Sequence, residues 1–202
     1  MKTPAAIALL LFPHFCQAGE DASPWPPENV AHVVAYVYDH TQDSRGSRPV
    51  FPDGSLHKGI IRSTTARLTG EQAKVLLQTV SQAYDDAEEE DCYYPHHAFV
   101  FYGADWKPVG WFAVCWECSS YQSSSAKAPD LIDVRPIRKL TNELAMPVFS
   151  GADEAENRKR YTELFLQEQA PEQQEKLREE EKKRKEDDAD PFADPIRERN
   201  AD

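Results

Sequence analysis

Residues 91–118 read DCYYPHHAFVFYGADWKPVGWFAVCWEC and hold three of the chain's four cysteines, a His-His pair and a dense run of aromatic side chains. Two stretches rich in Val, Phe, Trp and Tyr, His96 to Tyr102 and Val109 to Trp116, flank Gly103-Ala104-Asp105-Trp106-Lys107. Such a separator, carrying Gly and Asp, predicts a short hairpin loop. Pro108 suits the first position of the second strand, where a missing N–H is tolerated. Placing Tyr102 opposite Pro108 sets Val100 against Gly110, Ala98 against Phe112, and Cys92 against Cys118 at disulfide distance. Because side chains alternate between faces, His97, Phe99, Phe101, Trp111, Ala113 and Cys115 then share one face. His96, Ala98, Val100, Phe112, Val114 and Trp116 share the other. Both faces are largely apolar, which predicts a hairpin central in its sheet or covered on both sides. A slip of one residue would exchange the faces of one strand.

The chain begins with Met1-Lys2, an apolar run from Ala5 to Phe12 and Cys16-Gln17-Ala18 before Gly19. A basic start, a short apolar core and small residues before the cut are the parts of a signal peptide. Residues 1–18 are therefore expected to be removed after Ala18, leaving a periplasmic or secreted protein. Phe15 is too bulky for an acylation site at Cys16, so simple cleavage is the expectation. No stretch is long and apolar enough to span a bilayer. The net charge of −12 argues against nucleic acid or anionic membrane surfaces as partners, since both require basic patches. Cleavage leaves Cys92, Cys115 and Cys118. An odd number in an oxidising compartment means at least one thiol is free, metal-bound or paired between molecules.

Outward from the hairpin, residues 19–29 are a Pro-rich lead-in. Val30 to Tyr38 and Gly59 to Ala66 read as strands, with His32 at the solvent face of the first. Thr41 to Gly54 carries turn chemistry. Thr69 caps a helix, Gln72 completes a capping box, and Ala73, Leu76, Leu77, Val80 and Tyr84 follow one helical face. Asp85 to Asp91 reads as a solvated acidic loop, since it lacks the ligand spacing and internal Gly of a calcium loop. Ser119 to Pro129 is Ser-rich and expected to be mobile. Asp130 to Met146 has helix-like spacing, with the regular helix starting near Pro136. Tyr161, Leu164 and Phe165 would dock a charged helical extension, residues 151–189, whose Glu179–Lys183, Glu180–Arg184 and Glu181–Lys185 pairs support a solvated helix. Residues 190–202 read as disordered. The expected architecture is an α+β domain, residues 30–150, of order β-β-α-β-β-α, with helices on a small, largely antiparallel sheet and a charged C-terminal helical tail.

Three chemistries fit the cluster. Cys92, Cys115 and Cys118 with His96 or His97 would hold zinc tetrahedrally, or copper(I), which also takes soft ligands. Alternatively, Cys92 pairs with Cys118 or Cys115 as a staple and the remaining Cys sits in the core as a small hydrophobe, with the histidines as satisfied polar groups. Finally, Cys115-x-x-Cys118 would be a redox pair, or Cys115 and His97, on one face, a nucleophile and base. Reactive Cys-x-x-Cys pairs usually open a helix, and this pair ends a strand. No Gly-rich phosphate loop, Gly-x-Ser-x-Gly or His-Glu-x-x-His motif is present. A non-catalytic binding or structural module is the favoured expectation. Tyr93, Tyr94, Trp111 and Trp116 read as core, whereas Trp106 on the hairpin loop should be exposed. That loop and the charged tail are the candidate contacts for a protein partner.

Cys92-Tyr93-Tyr94-Pro95-His96-His97-Ala98, followed across a hairpin by Cys115-Trp116-Glu117-Cys118, resembles a signature of uncharacterised bacterial exported proteins. In that group Cys-x-x-Pro-x-x-Ala precedes Cys-aromatic-x-Cys. A cap-and-helix segment like Thr69 to Gln82 precedes the signature and a helix like Asp130 to Met146 follows it. The resemblance spans about Gly59 to Phe149 and implies a shared domain and cysteine pattern. It transfers no activity.

Overall fold

A computed structural model of the chain describes residues 23–84, 92–149 and 153–188. The expected signal peptide, the acidic run at 85–91 and the tail at 190–202 lie outside the described residues. Five strands make one sheet: β1 (His32–Tyr38), β2 (Ile60–Arg67), β3 (His97–Tyr102), β4 (Pro108–Cys115) and β5 (Ser120–Ser123). Their order is β2-β1-β3-β4-β5, and every pairing is antiparallel. Three helices, α1 (Gly70–Val80), α2 (Arg135–Glu143) and α3 (Glu154–Asp188), complete the expected α+β architecture. Among the described residues, no helix is long and apolar enough to cross a membrane.

The β3–β4 hairpin is central, and both of its faces are covered. On one face Phe99, Phe101, Phe112, Val114 and Trp116 meet Leu76 and Val80 of α1, Ile137 and Leu140 of α2, and Tyr161 of α3. On the other, Ala98, Val100, Trp111 and Ala113 join Val34, Tyr36 and Tyr38, closed over by Val50 and Leu56 from the β1–β2 connection. The Tyr36 and Tyr102 hydroxyls share a 2.8 Å hydrogen bond on that second face. α1 starts as its sequence dictates: the Thr69 hydroxyl accepts from the Gln72 N–H, and the Gln72 side chain accepts from the Thr69 N–H. Its apolar stripe is also the expected one, with Leu76 and Val80 buried and Ala73 and Leu77 partly covered. Tyr84 lies beyond the end of α1 and accepts a hydrogen bond from Arg135.

The register departs from expectation by one residue. Tyr102 does pair with Pro108, but a bulge follows, so Phe101 faces Gly110, Phe99 faces Phe112 and His97 faces Val114. One residue in β4, Val109, is left without a partner. The two faces of β4 are therefore exchanged: Phe112, Val114 and Trp116 lie with His97, Phe99 and Phe101, while Trp111 and Ala113 lie with Ala98 and Val100. The loop explains the slip. Trp106 adopts a left-handed φ of 60°, a conformation non-Gly residues seldom take, and the Gly103 N–H bonds the Lys107 carbonyl. A left-handed residue in a hairpin loop commonly brings a bulge with it. Trp106 is held there by stacking on His32 at 4.1 Å, with the Arg67 guanidinium 5.0 Å from its ring centre.

A second correction concerns Ser119 to Pro129, expected as a mobile loop. Residues Ser120–Ser123 instead form the edge strand β5, pairing from Cys115↔Ser120 to Phe112↔Ser123. Residues 116–119 become the turn of a second hairpin, with Ser119 at φ 50°. Short length and serine content hid the strand, because its stability comes from the β4 ladder and from Tyr121 against Phe112. α2 is shorter than the Asp130–Met146 pattern, and left-handed Ala145 (φ 53°) follows its end.

α3 docks as its apolar residues predict. Tyr161 is fully buried, and Leu164 and Phe165 pack at the edge of the core. Glu168 extends the contact to the sheet edge, where its carboxylate accepts the N–H groups of Arg62 and Ser63 at 2.7 Å each. Those amides lie where β2 breaks register with β1, between Ala35 and Val37, so the carboxylate satisfies donors that the ladder leaves open. From Ala170 onward, every α3 side chain whose exposure is described is exposed.

Candidate functional site: three cysteines at the base of the central hairpin

Cys92 lies just before β3, Cys115 is the last residue of β4, and Cys118 sits in the β4–β5 turn. Strand pairing and the turn bring them together. Cys92 and Cys118 form a disulfide with Cα atoms 5.7 Å apart, within the usual range for such a bridge. The expected pairing thus stands although the register that suggested it does not, because both residues lie outside the β3–β4 ladder. The Ser120 hydroxyl donates to the Cys92 carbonyl at 2.9 Å and ties the incoming chain to β5.

Among the described residues Cys115 is the unpaired cysteine, and it is fully buried. Its Sγ lies 2.9 Å from that of Cys118, and the three sulfurs all fall within 4.8 Å of one another. Burial pushes the Cys115 thiol up, and the nearby Glu117 carboxylate adds to that, while the main-chain N–H groups of Tyr94, Cys118 and Glu117 aim at the sulfur and oppose the rise. Burial wins, so the resting group is a thiol. Glu117 faces it, with Oε2 3.6 Å from the Cys115 sulfur and Oε1 accepting from the Asn157 amide at 2.9 Å. Asn157, on α3, is itself fully buried, and its Oδ1 has no hydrogen-bond partner among the described residues.

The two histidines stand outside the sulfur group. His97 accepts from the Trp116 indole N–H at 2.8 Å through Nδ1 and contacts the Pro147 carbonyl at 3.0 Å through Nε2, which must then carry the proton. Both ring nitrogens are thus engaged. The expected common face for His97 and Cys115 is not found, because the register shift turns His97 toward Trp116, and no nucleophile–base pair forms between them. His96 places Nδ1 3.2 Å from the Tyr38 carbonyl and lies flat against Tyr161, ring centres 3.8 Å apart. Burial holds both imidazoles down to about 3, so each is neutral at neutral pH.

Several polar residues that the sequence did not single out surround this region. Asp39 is fully buried; burial alone would raise its carboxyl, but hydrogen bonds from Thr162, Thr41 and Gln42 outweigh this and hold it low. His40 lies beside His96, ring centres 4.9 Å apart, and its Nδ1 is without a partner among the described residues. Asp39 follows a strand directly and precedes Thr41, a turn signal that could have drawn attention to it. Asn157 and Thr162 sit in a segment whose composition reads as solvated, and nothing local marks them. The expected exposure of Trp106 holds, at 49 %. No protein-family model, curated protein or solved structure matches the chain.

Proposed function

We propose that this is an exported, non-catalytic binding or structural module whose central hairpin is closed at its base by the Cys92–Cys118 disulfide. The observation that carries the reading is the division of labour around the bridge. Two cysteines pair, the third is buried as a thiol, and His97 spends both nitrogens on the core. Such a bridge closes a 26-residue separation, for which loop entropy would give about 3.5 kcal/mol. Partner contact is assigned to the Trp106 loop, where an exposed indole stacks on His32, itself hydrogen-bonded to Arg67, and to the charged part of α3.

A second reading has its own support: three sulfurs within 4.8 Å of one another, with three amide donors on Cys115, suit zinc or copper(I) once all three are thiolates. A fourth ligand from His96 or His97 would require a ring to leave its present hydrogen bonds. Intact mass, native and denatured, on protein exported without added metal or reductant separates the two. Loss of two hydrogens with no bound metal supports the staple. A native-only excess equal to one zinc or copper, with three free thiols after denaturation, replaces it with the metal site.

A further inference from the structure

We propose that the three sulfurs form an exchanging disulfide, in which Cys115 displaces Cys92 from Cys118 and the free thiol moves from a buried to a half-buried position. The inference rests on the staple proposed above. In the step, the Cys115 thiol loses its proton to Glu117 or water and its thiolate attacks the Cys118 sulfur. The Cys115–Cys118 bond forms as the Cys118–Cys92 bond breaks, and the departing Cys92 thiolate takes up a proton. One thiol-level and two disulfide-level sulfurs are present before and after the step, so no oxidant or reductant is consumed.

Four features of the site serve this step. Cys115 Sγ is already 2.9 Å from the sulfur it would attack. Burial raises the Cys115 thiol, and the main-chain N–H groups of Tyr94, Cys118 and Glu117 oppose that rise. The Glu117 carboxylate, 3.6 Å away, is placed to accept the proton. The Ser120 hydroxyl holds the Cys92 carbonyl independently of the bridge, so breaking the bond need not release the segment. Cys115 and Cys118 are fully buried, whereas Cys92 is only half-buried. Exchange would thus present outward a thiol that the resting bridge conceals, making Cys92 the modifiable cysteine.

The test is a time course on the full wild-type chain, produced under export without reductant. The native protein is incubated with N-ethylmaleimide, quenched in acid to freeze exchange, and digested with pepsin for disulfide assignment. The expected result is a Cys115–Cys118 peptide with maleimide on Cys92, its fraction climbing severalfold with incubation as the reagent drains the exchanged form. A fraction that stays at zero or constant, with Cys92–Cys118 retained, overturns the exchange and leaves the staple intact. Three labelled thiols and no disulfide would instead remove the staple itself. Cys115→Ser, which keeps the resting bridge, should abolish maleimide labelling of Cys92; labelling at the wild-type rate would sink the proposal.

Discussion

His97 shows what a single buried polar residue does in this protein. Its ring lies in the apolar core between the Trp116 indole N–H and the Pro147 carbonyl, linking the β4–β5 turn to the segment after α2. His97→Ala would strand both groups without water, each at a cost of about 1–3 kcal/mol, so the expected loss is about 2–6 kcal/mol by denaturant unfolding. The residue also makes stability depend on pH. The folded values of about 3 for His96 and His97 lie below the ordinary 6.5, so the unfolded chain takes up protons first as pH falls. Their contribution is fully present above pH 6.5 and is lost between 6.5 and 3, at about 1.4 kcal/mol per pH unit for each ring. His40 and His57, also lowered by burial, act in the same sense. Asp39 is held below 3.8 and adds its loss only at lower pH. Unfolding free energies measured from pH 7.5 to 4.5 should therefore fall well before the carboxylates titrate, and less steeply in His97→Gln. A flat profile over that range would mean that the rings are protonated without penalty. The sequence drew attention to both histidines but gave no account of their partners, because Pro147 is 50 residues away and Trp116 reaches the ring only through the shifted register.

At the scale of elements, what was legible depended on whether the deciding interaction is local. The Thr69–Gln72 capping box and the stripe of α1 come from residues three or four apart, and both stand. The hairpin was visible from its two apolar runs, but its register was not, because Trp106 occupies a left-handed position where the sequence offers no Gly. β5 was invisible for a related reason: four residues, two of them serine, become a strand only by pairing with β4. The Glu168 contact is the extreme case, joining α3 to amides of β2 across more than a hundred residues. Glu168→Ala would leave two donors near the surface to water and cost on the order of 1 kcal/mol. Hydrogen exchange would show the change locally, with faster exchange at the Arg62 and Ser63 amides and unchanged rates in β3. Uniform acceleration across the sheet would contradict so confined a role.

For the whole molecule, α3 does two jobs that divide along its length. Its first part is a lid: Asn157 reaches Glu117, Tyr161 stacks on His96, and Thr162 donates to Asp39. Its later part, from Ala170, has no described side chain in the core. A chain ending at Pro171 should therefore melt within about 2 °C of the full chain, whereas one ending at Ala152 should lose cooperative unfolding or most of its stability. Removing Tyr161 alone uncovers an aromatic core position, at a cost of about 3–5 kcal/mol. Equal effects of the two truncations would show that the charged part is structural after all. The lid also has a consequence for synthesis. Ribosomes deliver the chain from its N-terminus at about 5–20 residues per second, and β2 must wait for Glu168, which follows Arg62 by 106 positions. For roughly 5–20 seconds after β2 emerges, its Arg62 and Ser63 amides stand without the carboxylate that claims them in the finished fold. Any factor that binds extended chain has that interval in which to act, and it closes when the last docking turn of α3 arrives.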